Sequence, residues 1–405
     1  MQMLNQRKAA EELSGKTVED DMPEAVIVEA IRTPIGKRNG SLSGVHPVDL
    51  SATVLESLVT RTGIDPELID DVIWGCVNQV GDQSANVGRS AALAAGWPET
   101  VPGTTINRAC GSSQQALDFA FGMVRAGIYD LVVAGGVESM SRVPLGAGRD
   151  VGQVYGPRLL ARYADTLQGG TFNQGRGAEL IAHKWGFDRR ALDEFASASH
   201  ARAAAAIDAG AFDGQLVAIP EVADFVTDEG LRRGTTVETL AKLKPSFQAN
   251  GVIHAGNASQ IADGASAVLV TTPERAAQLG LTPIVRHHSS AVSGADPVMM
   301  LTGPIPATAK ALDRSGLSID DIGAFEVNEA FASVPLAWLT ETKADPARVN
   351  PLGGAIAVGH PLGASGTILM TRLVHHMRAN DIRFGLQTVC EGGGMANATI
   401  VELAA

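Results

Sequence analysis

Three side chains able to do covalent or proton-transfer chemistry stand at turns of this chain: Cys110, His360 and Cys390. Cys110 lies in TTINRACGSS, residues 104–113. A β-prone run leads into it, and Gly111-Ser112-Ser113 opens the helical pattern QQALDFAFGMVRAG. The thiol therefore sits at the mouth of a helix, where unpaired backbone N–H groups carry partial positive charge and favour a thiolate. A small buried hydrophobe is the competing reading of any single cysteine.

His360 lies in GGAIAVGHPLGASG, residues 353–366. The glycines let the backbone turn tightly and approach a ligand, and Pro361 suits the first turn of the next helix. An imidazole there can act as a general base, because its pKa lies near neutrality. The spacing is neither the GxGxxG dinucleotide fingerprint nor a phosphate loop. Cys390 ends an apolar run, TVC, and enters EGGGMA. Glycine N–H groups in such a run can bind an oxyanion, Gly392 among them, and a thiol can deliver a proton and take it back. Asn328, in VNEAF, can hold a water or a carbonyl oxygen at a strand end, or simply cap a helix.

Alternating elements must position these residues. Residues 25–30 read as a buried strand, 48–61 as a helix, 71–77 as a strand, 85–95 as a small-residue helix, and 131–134 as a strand ending in Gly135-Gly136. This alternation predicts a mostly parallel sheet covered by helices. Between about 139 and 258 the texture changes, and the clearest pattern is one helix over 189–209. That length is too great for a loop and predicts an inserted, lid-like domain. Regular texture resumes at 261–271. The run around Ile69-Asp70-Asp71 then recurs around Ile319-Asp320-Asp321, an offset of 250 that also carries Cys110 onto His360. Two similar α/β halves follow, with ligands outside the carboxyl ends of their strands.

The bulk of the chain narrows the classes. Its 405 residues suffice for two or three domains, and a net charge of -12 argues against a general nucleic-acid surface. Glycine is frequent, at 45 residues, and aromatics are scarce, at 4 %, which suits tightly packed layers with many turns. Three cysteines form no disulfide framework and point to a reducing compartment. No run approaches a membrane span, and the polar first 23 residues fit neither a signal nor a transit peptide. No HExxH or paired-cysteine metal site is present; His375-His376 read as helix-surface residues and Cys76 as core.

Taken together, NRACGSS, NEAF, GGAIAVGHPLGASG and CEGGG resemble the thiolase family, in its order and at its approximate spacing, from Val26 to Leu403. The resemblance implies two pseudo-symmetric βαβαβαββ halves in α-β-α-β-α layers with an inserted loop domain. The boundaries would be an extension over 1–23, a first half over 24–138 and 260–280, the insert over 139–259, and a second half over 281–405. It implies Cys110 as the nucleophile that becomes a thioester, His360 as its base, and Cys390 as the acid/base at the acetyl carbon. Asn328, through a water, and His360 would form one oxyanion site; the N–H groups of Cys110 and Gly392 would form the other. Coenzyme A would be a substrate, with no metal required. Arg232 in LRRG, Ser259 in GNAS and Gln174 in FNQGRGAE fall where the family binds the nucleotide, the pantetheine arm and the acyl group. Ala396 stands where the family often has glycine, so a slightly altered turn is expected.

The pantetheine-loop run Asn173-Gln174-Gly175 departs from the His-Met-Gly of acetoacetyl-specific relatives. It favours a degradative 3-ketoacyl-CoA thiolase, acting on fatty or steroid-derived chains, over a biosynthetic acetoacetyl-CoA thiolase. A ketoacyl synthase on the same fold would carry a second histidine where Cys390 stands, and a non-catalytic relative would need no intact nucleophile. The family further implies a cytoplasmic homodimer or homotetramer, acyl-CoA and CoA as small-molecule partners, and a hydratase/dehydrogenase subunit as a candidate protein partner.

Overall fold

The computed structural model describes residues 22–167 and 171–404. Apart from its last two residues, the polar extension expected over 1–23 lies outside them.

One ten-stranded sheet path organises the chain in the order β4-β3-β5-β6-β1-β7-β10-β9-β8, with the short β2 (Gly36–Lys37) paired to β6. Five strands belong to the first part: β1 (Val26–Arg32), β3 (Asp71–Gly75), β4 (Thr104–Ile106), β5 (Leu131–Ser139) and β6 (Ala262–Thr271). The second part supplies β7 (Val285–Gly294), β8 (Ala324–Val327), β9 (Phe384–Glu391) and β10 (Met395–Leu403). Where the two meet, β1 and β7 share only the pairs Val26↔Arg286 and Ile27↔Val285.

The pairing pattern repeats across that seam. β3–β5 and β8–β9 are parallel, β5–β6 and β9–β10 antiparallel, and β6–β1 and β10–β7 antiparallel. Even the edge recurs: β4 runs parallel to β3, and Val349 bridges Phe325 of β8 in parallel. The sheet is thus mixed, not mostly parallel as expected. The long β6 and β10 return alongside β5 and β9, and buried apolar strands do not reveal their direction. The same return extends β5 past Gly135-Gly136 to Ser139, because Gly135, Gly136, Val137, Glu138 and Ser139 all pair with β6.

Of the helices with eight or more residues, α1 (Pro47–Thr62), α2 (Val87–Ala94) and α3 (Ser112–Arg125) belong to the first part. α4 (Gln174–Trp185) and α5 (Arg189–Asp208) lie between β5 and β6, and only α5 was expected. α6 (Pro304–Ser315), α7 (Ser333–Thr342) and α8 (Ser365–Asn380) complete the second part. The halves repeat with an offset of 253, not 250. Gly316 follows α6 as Gly63 follows α1, both in the left-handed region, and Ser365 opens α8 as Ser112 opens α3. The position matching Cys110 is therefore Gly363, three residues beyond His360.

α3 and α8 form the middle layer. Leu117, Ala120, Phe121 and Val124 of α3 pack with Met370, Leu373, Val374 and Met377 of α8 and with Ile27, Val132, Val268 and Val401 of the strands. α8 is buried without interruption from Ser365 to Val374, as a helix enclosed on all sides must be. α1 and α2 cover the outer face of the first part, and α6 and Trp338 of α7 that of the second. A Cβ on Gly366 would collide with the backbone of Gln114, so glycine is what lets the starts of α3 and α8 meet. That meeting point brings the Cys110 and His360 turns together.

Candidate active site

Cys110 precedes α3 on a turn held by Asn107, whose Oδ1 accepts from Ala109 N at 2.8 Å, and by Ser112, whose Oγ accepts from Arg108 N at 2.9 Å. Ala109 takes φ 44°, a left-handed conformation uncommon for a residue with a side chain. The Cys110 thiol is buried, and the N–H groups of Gly392 and of Cys110 itself both face it. These donors pull its pKa down, as the helix mouth predicted. Burial outweighs them, with the charges of Glu391 and Glu138 added, and pushes the thiol up to about 12. The helix-mouth donors thus act in the expected direction but do not prevail: burial is a tertiary property that a sequence turn does not display.

His360 is held in one tautomer. Its Nδ1 lies 2.5 Å from Ser365 Oγ, and that hydroxyl donates to Pro361 O at 2.8 Å. Ser365 has one hydrogen and spends it on the carbonyl, so it accepts from Nδ1–H. Nε2 then carries the free lone pair. Asn328 Nδ2 stands 3.4 Å from it, while Asn328 N donates to Thr388 O at 3.0 Å. Burial lowers the His360 pKa to about 4, so the imidazole rests neutral.

Cys390 is also fully buried, in β9, and burial first, then the proximity of Cys110 and Glu391, raises its pKa well above the usual thiol value. Asn328 hydrogen-bonds to it as well. The structure therefore gathers Cys110, His360, Cys390, Asn328 and the Gly392 N–H. Asn328 Oδ1 is buried with no partner.

Above His360 opens a cleft of about 770 Å³ lined by Gln174, Arg232, Ser259, Phe247, Met140 and Leu362, among others. Met140 and Leu362 also pack with Cys110. Gln174 opens α4, and Arg232 is exposed. Ser259 N–H donates to Ala330 O at 2.9 Å, and two residues earlier in its loop Asn257 Nδ2 donates to Asp193 Oδ1 at 3.0 Å, beside the buried His254. A second cavity, about 670 Å³, lies between α4 and residues 248–252; Phe172, Asn173, Arg176 and Glu179 of FNQGRGAE line it, but none of the candidate site residues does.

Several positioning residues escaped sequence reasoning. Ser365 was in the quoted motif, five residues after His360, without a role. Glu138 is fully buried and accepts from Val77 N, Asn78 N and Gln83 Nε2 of the first half and from Gly363 N, 2.9 Å, of the His360 loop. An acid ending an apolar strand was the available signal. Glu329 of NEAF accepts from Ser199 Oγ, Asn350 Nδ2 and Ile356 N, and so fixes the stretch ahead of His360. Two expectations change. His375 is half-buried, not surface, with Nε2 3.0 Å from Ala30 O, because α8 is a middle-layer helix. Ala396 lies in β10, opposite Cys390 and against Gly303, so it alters no turn; the turn belongs to Gly393 and Gly394, both at positive φ. Cys76 is buried as expected.

A thiol, a neutral imidazole with its lone pair free, a second thiol and two N–H donors gathered at the His360 end of the cleft suit acyl transfer through a thioester. Comparison with known proteins gives the family. Residues 25–274 match the thiolase N-terminal domain and residues 281–403 the thiolase C-terminal domain. The steroid 3-ketoacyl-CoA thiolase FadA6 of Mycobacterium tuberculosis is 48 % identical over 390 residues, covering 94 % of each chain. The 3-ketoacyl-CoA thiolase of Bacillus subtilis is 42 % identical over 398 residues, 94 % of this chain and all of that one. Among solved structures, the Bacillus anthracis acetyl-CoA acetyltransferase superimposes with a TM-score of 0.85 at 36 % identity, covering 95 % of this chain and 99 % of that one. The chain belongs to the thiolase family and has its fold; it is an acyltransferase.

Proposed function

We propose that this thiolase cleaves 3-oxoacyl-CoA with coenzyme A, reversibly, to acetyl-CoA and a shortened acyl-CoA, in fatty-acid or steroid side-chain breakdown. Cys110 Sγ passes its proton to His360 Nε2 and attacks the 3-oxo carbon. The C2–C3 bond breaks, Cys390 protonates the departing acetyl-CoA carbanion, and the acyl group remains on Cys110. Coenzyme A then gives its thiol proton to the Cys390 thiolate and takes the acyl group, and the departing Cys110 sulfur recovers its proton from His360. The N–H groups of Cys110 and Gly392 hold one developing oxyanion, and Asn328, through a water, holds the other with His360. The observation that carries this reading is the His360 tautomer: Ser365 occupies Nδ1–H and leaves Nε2 free as the base.

The degradative assignment draws on the relatives at 48 % and 42 % identity, named for steroid 3-ketoacyl-CoA and 3-ketoacyl-CoA. Condensation of two acetyl-CoA, the alternative, is not favoured by them. The segment 139–259 serves as the CoA- and acyl-binding insert, which the lining of the cleft by Gln174, Arg232 and Ser259 supports. We take 24–138 with 260–280, and 281–405, as the two halves. No helix among the described residues is long and apolar enough to cross a membrane, and they hold no group of three or more His, Cys, Asp or Glu able to bind a metal. Three unpaired thiols accord with a cytoplasmic setting. A homodimer or homotetramer is our reading of the assembly, and sedimentation tests it. For the reaction, kcat/KM is compared on acetoacetyl-CoA and on medium, long and sterol-side-chain 3-oxoacyl-CoA. Preference for a longer or sterol chain is expected; preference for acetoacetyl-CoA overturns the degradative reading.

A further inference from the structure

Beneath the Cys110–Gly111 turn lies a carboxyl group without a partner. Glu391 ends β9, is fully buried, and neither of its oxygens is hydrogen-bonded. Its Oε1 lies 2.0 Å from the point a Cβ on Gly111 would occupy, and Asn397 Oδ1, 2.7 Å from that same point, also lacks a partner. The orientation of Asn397 is fixed, because its Nδ2 donates to Gln115 Oε1 at 3.2 Å and to Asp118 Oδ2 at 3.0 Å. Two acceptor oxygens crowded onto one buried point repel unless one carries a proton. Only the carboxyl can take it.

The groups facing Glu391 divide in sign. Arg108, on the Cys110 turn, draws it toward the charged form, and Asp118 of α3 opposes that. No ion pair joins Arg108 to Glu391. The guanidinium turns Nη1 to Met395 Sδ at 3.9 Å, and its Nε is left without a partner. Asp118 is itself anchored by Ser290 of β7 and Thr399 of β10, and Ser290 meets His287 Nε2 at 2.7 Å. Burial is the largest influence and, with these charges, pushes Glu391 up to about 8. In turn, a charged Glu391 disfavours thiolates at Cys110 and Cys390.

We propose that Glu391 is a positioning residue for Cys110: held as the neutral acid under the Cys110–Gly111 turn, it keeps negative charge from the sulfur while the thiolate forms, and its ionisation opposes that thiolate. This rests on Cys110 as the acyl acceptor. Glu391 touches no reacting atom; it acts through the turn and its field.

The test is the rate at which iodoacetamide alkylates Cys110 between pH 6 and 10, read by mass spectrometry of the Cys110 peptide. In the wild type the rate climbs with a shoulder near pH 8, where Glu391 ionises. In Glu391→Gln, which mimics the neutral acid, the rate matches wild type at pH 6, exceeds it about tenfold at pH 9, and loses the shoulder, a change of about one pKa unit. Parallel curves for the two proteins at every pH overturn the proposal. Should Glu391→Gln not fold, the wild-type curve decides alone: a single smooth rise overturns it. Acylation of Cys110 by acetoacetyl-CoA is followed in the same samples. If no acyl group forms on Cys110 while the alkylation profile stands, the catalytic reading fails and the electrostatic one survives.

Discussion

The two turns that meet at the cleft are built in opposite ways. Around His360 the polar groups are paired, apart from Asn328 Oδ1. Ser365 takes Nδ1, Glu138 takes Gly363 N, Gln260 O takes His360 N, and Gln260 Nε2 reaches the carbonyls of Gly230, Ile356 and Ala357 at 2.8–2.9 Å. Around Cys110, Arg108 Nε, both oxygens of Glu391 and Asn397 Oδ1 are buried and unpaired, and Ala109 is left-handed. A left-handed residue with a side chain costs about 1–3 kcal/mol. The base is therefore fixed before substrate arrives, while the nucleophile sits in surroundings that resist its charged form. That difference places the barrier to thiolate formation on the Cys110 side.

The most damaging way to break this comparison is to remove the sulfur. Cys110→Ala should abolish the acyl-enzyme and lower thiolysis by at least ~10⁴-fold, as loss of a covalent nucleophile does. Because Cys110 makes few contacts that alanine cannot, thermal unfolding should shift little. Cys390→Ala should instead retain some acyl transfer to Cys110 and lose proton exchange at the acetyl carbon, read by deuterium exchange into acetyl-CoA. Equal loss of both activities in Cys390→Ala contradicts separate roles for the two thiols.

The Cys110, His360 and Cys390 turns were legible because glycines and helix-start residues mark them locally. So were β1, β3, β4 and α1 to α3, whose apolar spacing stays within one element. What could not be read depends on distant partners. Glu138 reaches Gly363 across 225 positions of sequence, and no local pattern announces it. The strand directions depend on β6 and β10 returning beside β5 and β9. The repeat was visible but slipped by three residues, since Ile319-Asp320-Asp321 imitates Ile69-Asp70-Asp71 while occupying the turn that matches Pro66–Leu68. The resting thiol, too, comes from burial that the chain acquires only when α3 and α8 meet.

Glu138 offers the next largest effect, on the well-paired side. Glu138→Gln keeps the shape but replaces one accepting oxygen with a donor, so that at least one N–H facing it loses its partner. An unpaired buried donor costs about 1–3 kcal/mol. The melting temperature should fall, and kcat should fall roughly tenfold as the Gly363 end of the His360 loop loosens. Labelling of Cys110 by iodoacetamide should stay within about twofold of wild type if the two turns are independently built. A matching loss of labelling would show that they are one unit.

The smallest effect tests whether the pairing of His360 matters beyond packing. Ser365→Ala removes the acceptor for Nδ1–H and frees the other tautomer, which puts the proton on Nε2 where the lone pair is needed. About half of a population so divided would be inactive, and the imidazole would also turn more freely. A loss of about two- to fourfold in kcat, with KM nearly unchanged, is the expected result; a rise in KM alone would assign Ser365 to binding. The pH behaviour separates orientation from charge. His360 falls from an ordinary value near 6.5 to about 4 by burial, so the base stays available until the pH approaches 4. Its neutral burial contributes stability that is complete above pH 6.5 and is lost as acid takes the pH down toward 4, since the unfolded chain binds the proton first. Ser365→Ala leaves that burial intact. Its acid limb should therefore coincide with that of the wild type while its plateau is lower, and a limb displaced toward pH 6.5 would show that the serine keeps water from the imidazole.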